Sequence, residues 1–486
     1  MGLVRKHSIN FTFIYYIGVV LGYVNTVLLF PNILEPDQFG LTRILLSIAI
    51  VISQFAQLGS PNMVIRYFPV LRKKIFSLGI LICTTGLVVV LSLLILLQQP
   101  IKSFFIDNSA LFTDHFYLLL PFGAAMVYYN LFDAYLRAIY KNAFSAFLSN
   151  ILVRLIWMAL ILIYSFGHIN FQSFIVLFAC SYALITLISF IYIQIVNNPR
   201  IINQFSSEEK EFFKQIRSFN FFTLLAGISS FLINKVDIMM LGSMESLEVL
   251  GVYAIAAYMA MVIRVPASSI ARTAQVLVAD SFKKSNIRDV ASLYTKSAIT
   301  QLILSSGIFI LILINYQNIT YVLPETFRQS YYIFLFLGIT QVLDSAMGIN
   351  GFIMINSKYY KTETLFSTLL LVLTVISNLI LIPLMGAQGA AIATLFSIAA
   401  YNLMRLFFIR QKLKMQPFTV KTLYAILIGG TTFFLSNLVP VYDHFIIDAI
   451  IRSAVMCILF VPLVYFSKIS PDVNKMIDGI MIALRK

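Results

Sequence analysis

Apolar residues gather along this chain into runs of about 20, the length at which an α-helix crosses the hydrocarbon core of a bilayer, and short polar clusters separate them. Taken in turn, run and break predict helices over 9–31, 41–59, 75–98, 116–138, 144–166, 171–196, 220–242, 249–269, 291–315, 329–355, 364–385, 388–409, 420–439 and 449–467. The expected fold class is an all-α polytopic membrane protein of about 14 transmembrane helices. The first run follows Arg5 and Lys6 and extends from Ile9 to about Phe30, too long for the apolar core of a cleavable leader. It reads as an uncleaved first span.

The polar breaks alternate in charge. Arg66, Arg72, Lys73, Lys74, Arg137, Lys141, Lys210, Lys214, Lys283, Lys284, Lys358, Lys361, Arg410 and Lys412 fall on the side of the N-terminus. The other side holds Glu35, Asp37, Asp107, Asp114, Glu245, Glu248, Asp443 and Asp448, with only Lys102 and Arg328 as bases. An excess of Lys and Arg marks cytoplasmic loops. An even number of spans keeps this alternation in phase, so both termini are expected in the cytoplasm. The longest connections, near 197–219 and 270–290, are expected on the cytoplasmic face, the first with an amphipathic helix from Glu208 to Arg217.

Composition agrees: 60% of the 486 residues are hydrophobic and 11% charged, where a soluble domain carries about 25% charged residues. The net charge of +15 would suggest nucleic acid in a soluble protein, but here it is accounted for by loop signals, and no nucleic-acid partner is expected. Cys83, Cys180 and Cys457 lie within predicted spans without CxxC spacing, and His7, His115, His168 and His444 are far apart. Neither a disulfide framework nor a metal site is indicated, and no cofactor.

A repeat runs through the pattern. The turn Pro36-Asp37-Gln38-Phe39-Gly40 opens the second span, and Glu245-Ser246-Leu247-Glu248-Val249-Leu250-Gly251 opens the eighth, with the two glycines 211 residues apart. Lys141 and Lys361, and Gly167 and Gly386, pair at offsets of about 220. This divides the chain into two six-helix repeats and two added C-terminal helices: 1–196 as a first lobe, 197–219 as a linker, 220–409 as a second lobe, and 420–486 as helices 13 and 14 with a tail. Parallel repeats of this kind are a transporter architecture.

The segment Asp237-Ile238-Met239-Met240-Leu241-Gly242, followed by Leu250-Gly251-Val252-Tyr253-Ala254-Ile255-Ala256, resembles the seventh-to-eighth helix signature of the multidrug/oligosaccharidyl-lipid/polysaccharide (MOP) flippase superfamily, and Phe39-Gly40 is similar to its first-repeat equivalent. The branch most resembled is the polysaccharide transporter group of Wzx-type O-antigen flippases. That resemblance implies two six-helix lobes around a V-shaped cavity. It also implies alternating-access transport of an undecaprenyl-diphosphate-linked oligosaccharide for surface polysaccharide biosynthesis. The partners implied are the lipid-linked substrate, membrane lipids, and a polysaccharide polymerase and glycosyltransferases acting on the same carriers.

Charges inside spans cost about 2.5–3.5 kcal/mol at a helix centre and are functional candidates by default. Arg43, Arg154, Lys235, Arg264, Arg405 and Arg452 lie within predicted spans. Arg405 and Arg452 are near enough to span ends to snorkel. Arg43, Arg154, Lys235 and Arg264 are the candidates to bind a diphosphate, whose charge can cross an apolar path only where basic side chains replace water. The rival account pairs them with acids. Asp133 stands four residues before Arg137, an expected i,i+4 pair. Lys235 and Asp237 face different directions, so each needs a further partner or a wet cavity. Asp237 and Asp344 are the candidates for coupling to an ion, H+ or Na+. For Asn25, Gln54, Gln57, Asn130, Asn150, Asn378 and Asn402, helix–helix hydrogen bonding is expected.

Other functions compete. A lipid II flippase or a multidrug exporter of the same superfamily fits the span pattern, though a cationic drug would favour a more acidic cavity. An integral-membrane polysaccharide polymerase or ligase would build its site in sizeable external loops, whereas the external loops here are short and acidic. No enzyme is expected, and no catalytic residue is nominated.

Overall fold

The computed structural model describes residues 14, 16–106, 108–199, 215–221, 223–224 and 235–484, and among these every regular element is a helix. Among the described residues nine helices are long and apolar enough to cross a membrane, or ten if the bent pair Tyr331–Ala346 and Asn350–Asn356 forms one broken span. The protein is thus a multi-pass membrane protein. Predicted spans one to six fall on Tyr16–Ile33, Pro36–Ala56, Lys74–Leu96, Leu119–Ala138, Asn142–Ser165 and Phe171–Asn197. Of the seventh, Val236–Met244 is described, and 222 and 225–234 lie outside the described residues. So do positions 200–214, which hold Lys210, Lys214 and most of the expected Glu208–Arg217 helix.

The chain divides into two compact units, Met1–Ala254 and Ile255–Lys486. The division falls inside the helix Leu247–Lys283. That helix runs through Pro266 and well past 269, so much of the expected 270–290 loop is helical. A short turn separates it from Ile287–Ile314, where the Asn286 side chain caps the helix by accepting from the Asp289 N–H.

In the first unit, Glu35 and Gln38 form a capping box at the start of Pro36–Ala56, an ending that the acidic turn encodes. A short helix, Ser60–Leu71, follows that span where the sequence suggested a basic loop. Its Met63, Val64, Tyr67 and Leu71 are buried while Arg66 faces out, so the cations mask an amphipathic pattern. Among the described residues two π-helical segments interrupt regular helix, Val24–Leu29 in the first span and Leu148–Leu152 in the fifth.

In the second unit, predicted spans eleven and twelve join in the helical element Tyr360–Leu413, which breaks at Gly386 with φ 56° and ψ −134°. An L side chain is strained in that conformation. Gly386→Ala is therefore expected to cost about 1–3 kcal/mol and to lower the midpoint of thermal unfolding in detergent; an unchanged melt would count against the strain. Val420–Asn437 and Phe445–Ser467 complete the apolar helices, with Phe460 and Met456 packed beside Leu302 and Ile303. A helix the sequence reading did not anticipate, Pro471–Leu484, follows, anchored by buried Val473.

Candidate functional site

The first unit gathers Arg43, Lys235 and Asp237. Lys235 lies within electrostatic range of both Asp237 and Arg43. Asp237 has a partner that sequence spacing did not reveal: the Tyr253 hydroxyl donates to its Oδ2, and the Ile238 N–H donates to Oδ1 at 2.8 Å. Arg43 packs its guanidinium 4.7 Å from the Phe39 ring centroid and 5.4 Å from that of Phe30, an arrangement in which aromatic faces offset part of the lost hydration.

Arg154 is tied to this group through the first span. Its π-helical segment presents Asn25 and Thr26 side by side. Asn25 Nδ2 donates to the Arg154 carbonyl at 2.7 Å, and Thr26 Oγ1 accepts from Arg43 Nη1 at 3.4 Å. A π turn inserts an extra residue into a helix and occurs often at functional sites. The Arg154 side chain has a buried Nη1 with no hydrogen-bond partner among the described residues. A buried guanidinium N–H without an acceptor is costly, so this nitrogen suits an anionic oxygen brought by a ligand.

Arg264 and Asp344 lie in the second unit and pair with each other at 3.3 Å. The Arg264 side chain is 54% exposed, so the pair is open on one side. From Asp344 a chain of polar contacts runs inward. Asn402 Nδ2 donates to Asp344 Oδ1 at 2.9 Å, and Asn350 Nδ2 donates to Asn402 Oδ1 at 2.9 Å. Arg405 Nη1 then donates to Asn350 Oδ1 at 3.3 Å and its Nε to Glu363 Oε2 at 2.9 Å, while the Tyr401 hydroxyl donates to Glu363 Oε1 at 2.9 Å. Asn350 follows the break in the tenth span, whose halves meet at a 49° bend.

The expected snorkelling of Arg405 and Arg452 is corrected here. Arg405 is buried against Glu363, with side chains 12% and 7% exposed. Arg452 is buried too, donating through Nε to Asp448 Oδ2 at 2.7 Å and through Nη2 to the Val439 carbonyl at 3.1 Å. The reason is the same for both: each has an acid on a helix face that points inward, which gives a cation more than an apolar stem toward the interface would. The Asp133–Arg137 pair forms as spaced, at 2.9 Å. Asn130 donates to Ser53 of another helix at 3.4 Å, as expected, whereas Gln57 donates at 2.6 Å to Gln54, three residues earlier at the end of the same helix. Asn378 departs from expectation: it is fully buried, and neither amide atom has a hydrogen-bond partner among the described residues. Glu363 and Tyr253 were missed. Glu363 stands 42 residues from Arg405 in sequence, so no local spacing announces the pair. Tyr253 lies in the signature segment but is one of many tyrosines.

Among the described residues no group of three or more His, Cys, Asp or Glu is placed to hold a metal ion.

Residues 4–278 match the model of a family described as polysaccharide biosynthesis protein. No curated protein sequence matches the chain significantly. Among solved structures, the fold is similar to that of the lipid II flippase MurJ in an inward closed conformation, with TM-score 0.73 at 13% identity, over 94% of this chain and 98% of that one. It is also similar to an inward-facing multidrug resistance MATE family transporter of the MOP superfamily, with TM-score 0.63 at 14% identity, over 83% of this chain and 94% of that one. At such identities the likeness concerns the fold.

Proposed function

Because the chain belongs to the polysaccharide biosynthesis protein family, within the MOP flippase superfamily, we propose that it flips undecaprenyl-diphosphate-linked oligosaccharide across the bacterial inner membrane for surface polysaccharide assembly. Members of this superfamily are transporters and flippases rather than enzymes. The observation that carries the reading is the buried Nη1 of Arg154, without a hydrogen-bond partner among the described residues, in the unit that also gathers Arg43 and Lys235. An Arg fork matches phosphate oxygens, and a Lys ammonium adds a compact charge. In this reading Arg43, Arg154 and Lys235 take the place of water around the diphosphate in the first unit, and Arg264, once it leaves Asp344, is the second unit's own candidate for binding a phosphate. The prenyl tail stays in lipid while the protein alternates its access, and both termini remain in the cytoplasm. Glycosyltransferases supply the substrate and a polymerase consumes it.

Asp344 and Asp237 are the proposed sites of coupling to H+ or Na+. The Arg264–Asp344 pair supports this for Asp344, because a cation that binds the carboxylate competes with the guanidinium and frees it. Lipid II transport is the second reading, favoured by the breadth of the likeness to MurJ.

The test is flipping of a fluorescent lipid-linked oligosaccharide in proteoliposomes. Arg154→Ala is expected to slow flipping about tenfold or more, the scale of one lost charge-assisted hydrogen bond, while Arg154→Lys retains part of the rate. Asp344→Asn should flip without responding to an imposed ion gradient. Full flipping by Arg154→Ala at normal expression would overturn the phosphate-binding role, and gradient-driven flipping by Asp344→Asn would overturn the coupling role. Preference for lipid II over an oligosaccharide carrier would select the second reading.

A further inference from the structure

A cavity of about 610 Å³ lies within the first unit, at the end of the molecule that the charge pattern assigns to the outer side. Its wall includes Ile48, Ile101, Phe104, Phe116, Met239 and Met240, contributed by separate stretches of the chain. Ser243 also lines it, but its hydroxyl is used by the Met240 carbonyl at 2.9 Å. A lining so poor in polar partners does not hold ordered water. In a membrane-spanning chain the material at hand to fill an apolar cavity is a hydrocarbon chain, which also restores the dispersion contacts an empty space forfeits.

A charge stands against one of the wall residues. Lys102, on the helix Gln98–Phe105, holds its Nζ 5.6 Å from the ring centroid of the wall residue Phe116. Lys102 makes no ion pair among the described residues. It is also one of only two basic residues that the charge alternation leaves on the outer side, so it is not a topology signal. An apolar cavity with an ammonium against one of its wall residues is complementary to an amphiphile with one hydrocarbon chain to bury and one negative charge beside it.

We propose that this cavity binds one acyl chain of an anionic phospholipid of the outer leaflet, with the lipid phosphate paired to Lys102. Charge matching selects that source: a phosphodiester carries one negative charge and one ammonium balances it, whereas a diphosphate would keep its excess charge at an apolar rim. The chain also lies beside Met240 and Ser243, which flank Gly242, whose carbonyl accepts from Ser109 Oγ at 2.6 Å. A bound lipid thus braces the contact between the loop at 108–109 and the end of the helix Val236–Met244.

The full-length protein in nanodiscs, probed with phosphatidylglycerol carrying a photoactivatable acyl chain, tests this. Labelling is expected on peptides covering 94–105 and 236–243. Ile101→Trp, which fills the cavity, should reduce labelling by about tenfold. Lys102→Gln, a change at the rim that leaves the core untouched, should remove an advantage of about fivefold over a phosphatidylethanolamine probe. Labelling unaffected by Ile101→Trp overturns the cavity as the site, and an unchanged lipid preference in Lys102→Gln overturns the role of the lysine. Displacement by polyprenyl phosphate at lower concentration than by phosphatidylglycerol overturns the choice of occupant.

Discussion

Valine in place of Gly40 is expected to separate two turns that now touch. A Cβ at Gly40 would stand 2.0 Å from the Leu247 carbonyl oxygen and 3.0 Å from the Leu247 Cβ. The first obstacle is backbone, which no rotamer change can move aside. The contact is reinforced nearby, where Asn108 Nδ2 donates to the Ser243 carbonyl at 3.1 Å and Ser109 Oγ to that of Gly242. In a chain lacking Cys83, Cys180 and Cys457, the pair Asn108→Cys and Ser243→Cys should cross-link readily in membranes. Adding Gly40→Val should cut that yield about tenfold, since overpacking costs about 1–3 kcal/mol. An undiminished yield would show that the contact does not depend on the glycine.

The largest loss of stability is expected from the buried pair in the second unit. Glu363→Ala leaves the Arg405 guanidinium enclosed with Asn350 as its remaining polar partner, and stranding one member of a buried pair costs about 3–5 kcal/mol. The protein should lose its monodisperse peak in detergent at a markedly lower temperature. Replacing both, as Glu363→Leu with Arg405→Met, should recover much of that loss, because no uncompensated charge remains. If the single variant melts with the parent, the pair is not the internal clamp that its geometry indicates.

Much of the fold was legible because lipid leaves the backbone few choices. A run of about 20 apolar residues in this composition is a span, and the helices from Pro36–Ala56 to Phe445–Ser467 follow the runs. Loops were less legible. The helix Ser60–Leu71 reads as polar from Arg66 and Arg72, and its buried face emerges only when Tyr67 and Leu71 are seen inside. For the candidate site, residue type carried information and partnership did not. Arg43, Arg154, Lys235 and Arg264 could be named from their cost in a membrane. That Arg264 meets Asp344, and that Arg405 meets Glu363, depends on helices brought together by tertiary packing. Even Arg452 and Asp448, which do have i,i+4 spacing, were separated by placing the acid in a loop and the base in a span.

The two π-helical segments bear on how relatives of this chain should be aligned. Each residue of a regular helix turns the chain by about 100°, so the extra residue of a π turn puts the parts of a span before and after it out of phase. A helical wheel drawn through Val24–Leu29 or Leu148–Leu152 therefore assigns one half of the span to the wrong face. Loss of one residue there would restore a regular helix, with intact hydrogen bonding, yet rotate Asn25 or Arg154 relative to the other half. Single-residue gaps at these two places are thus the length changes the fold absorbs most cheaply. They are also the ones that would re-aim its polar side chains.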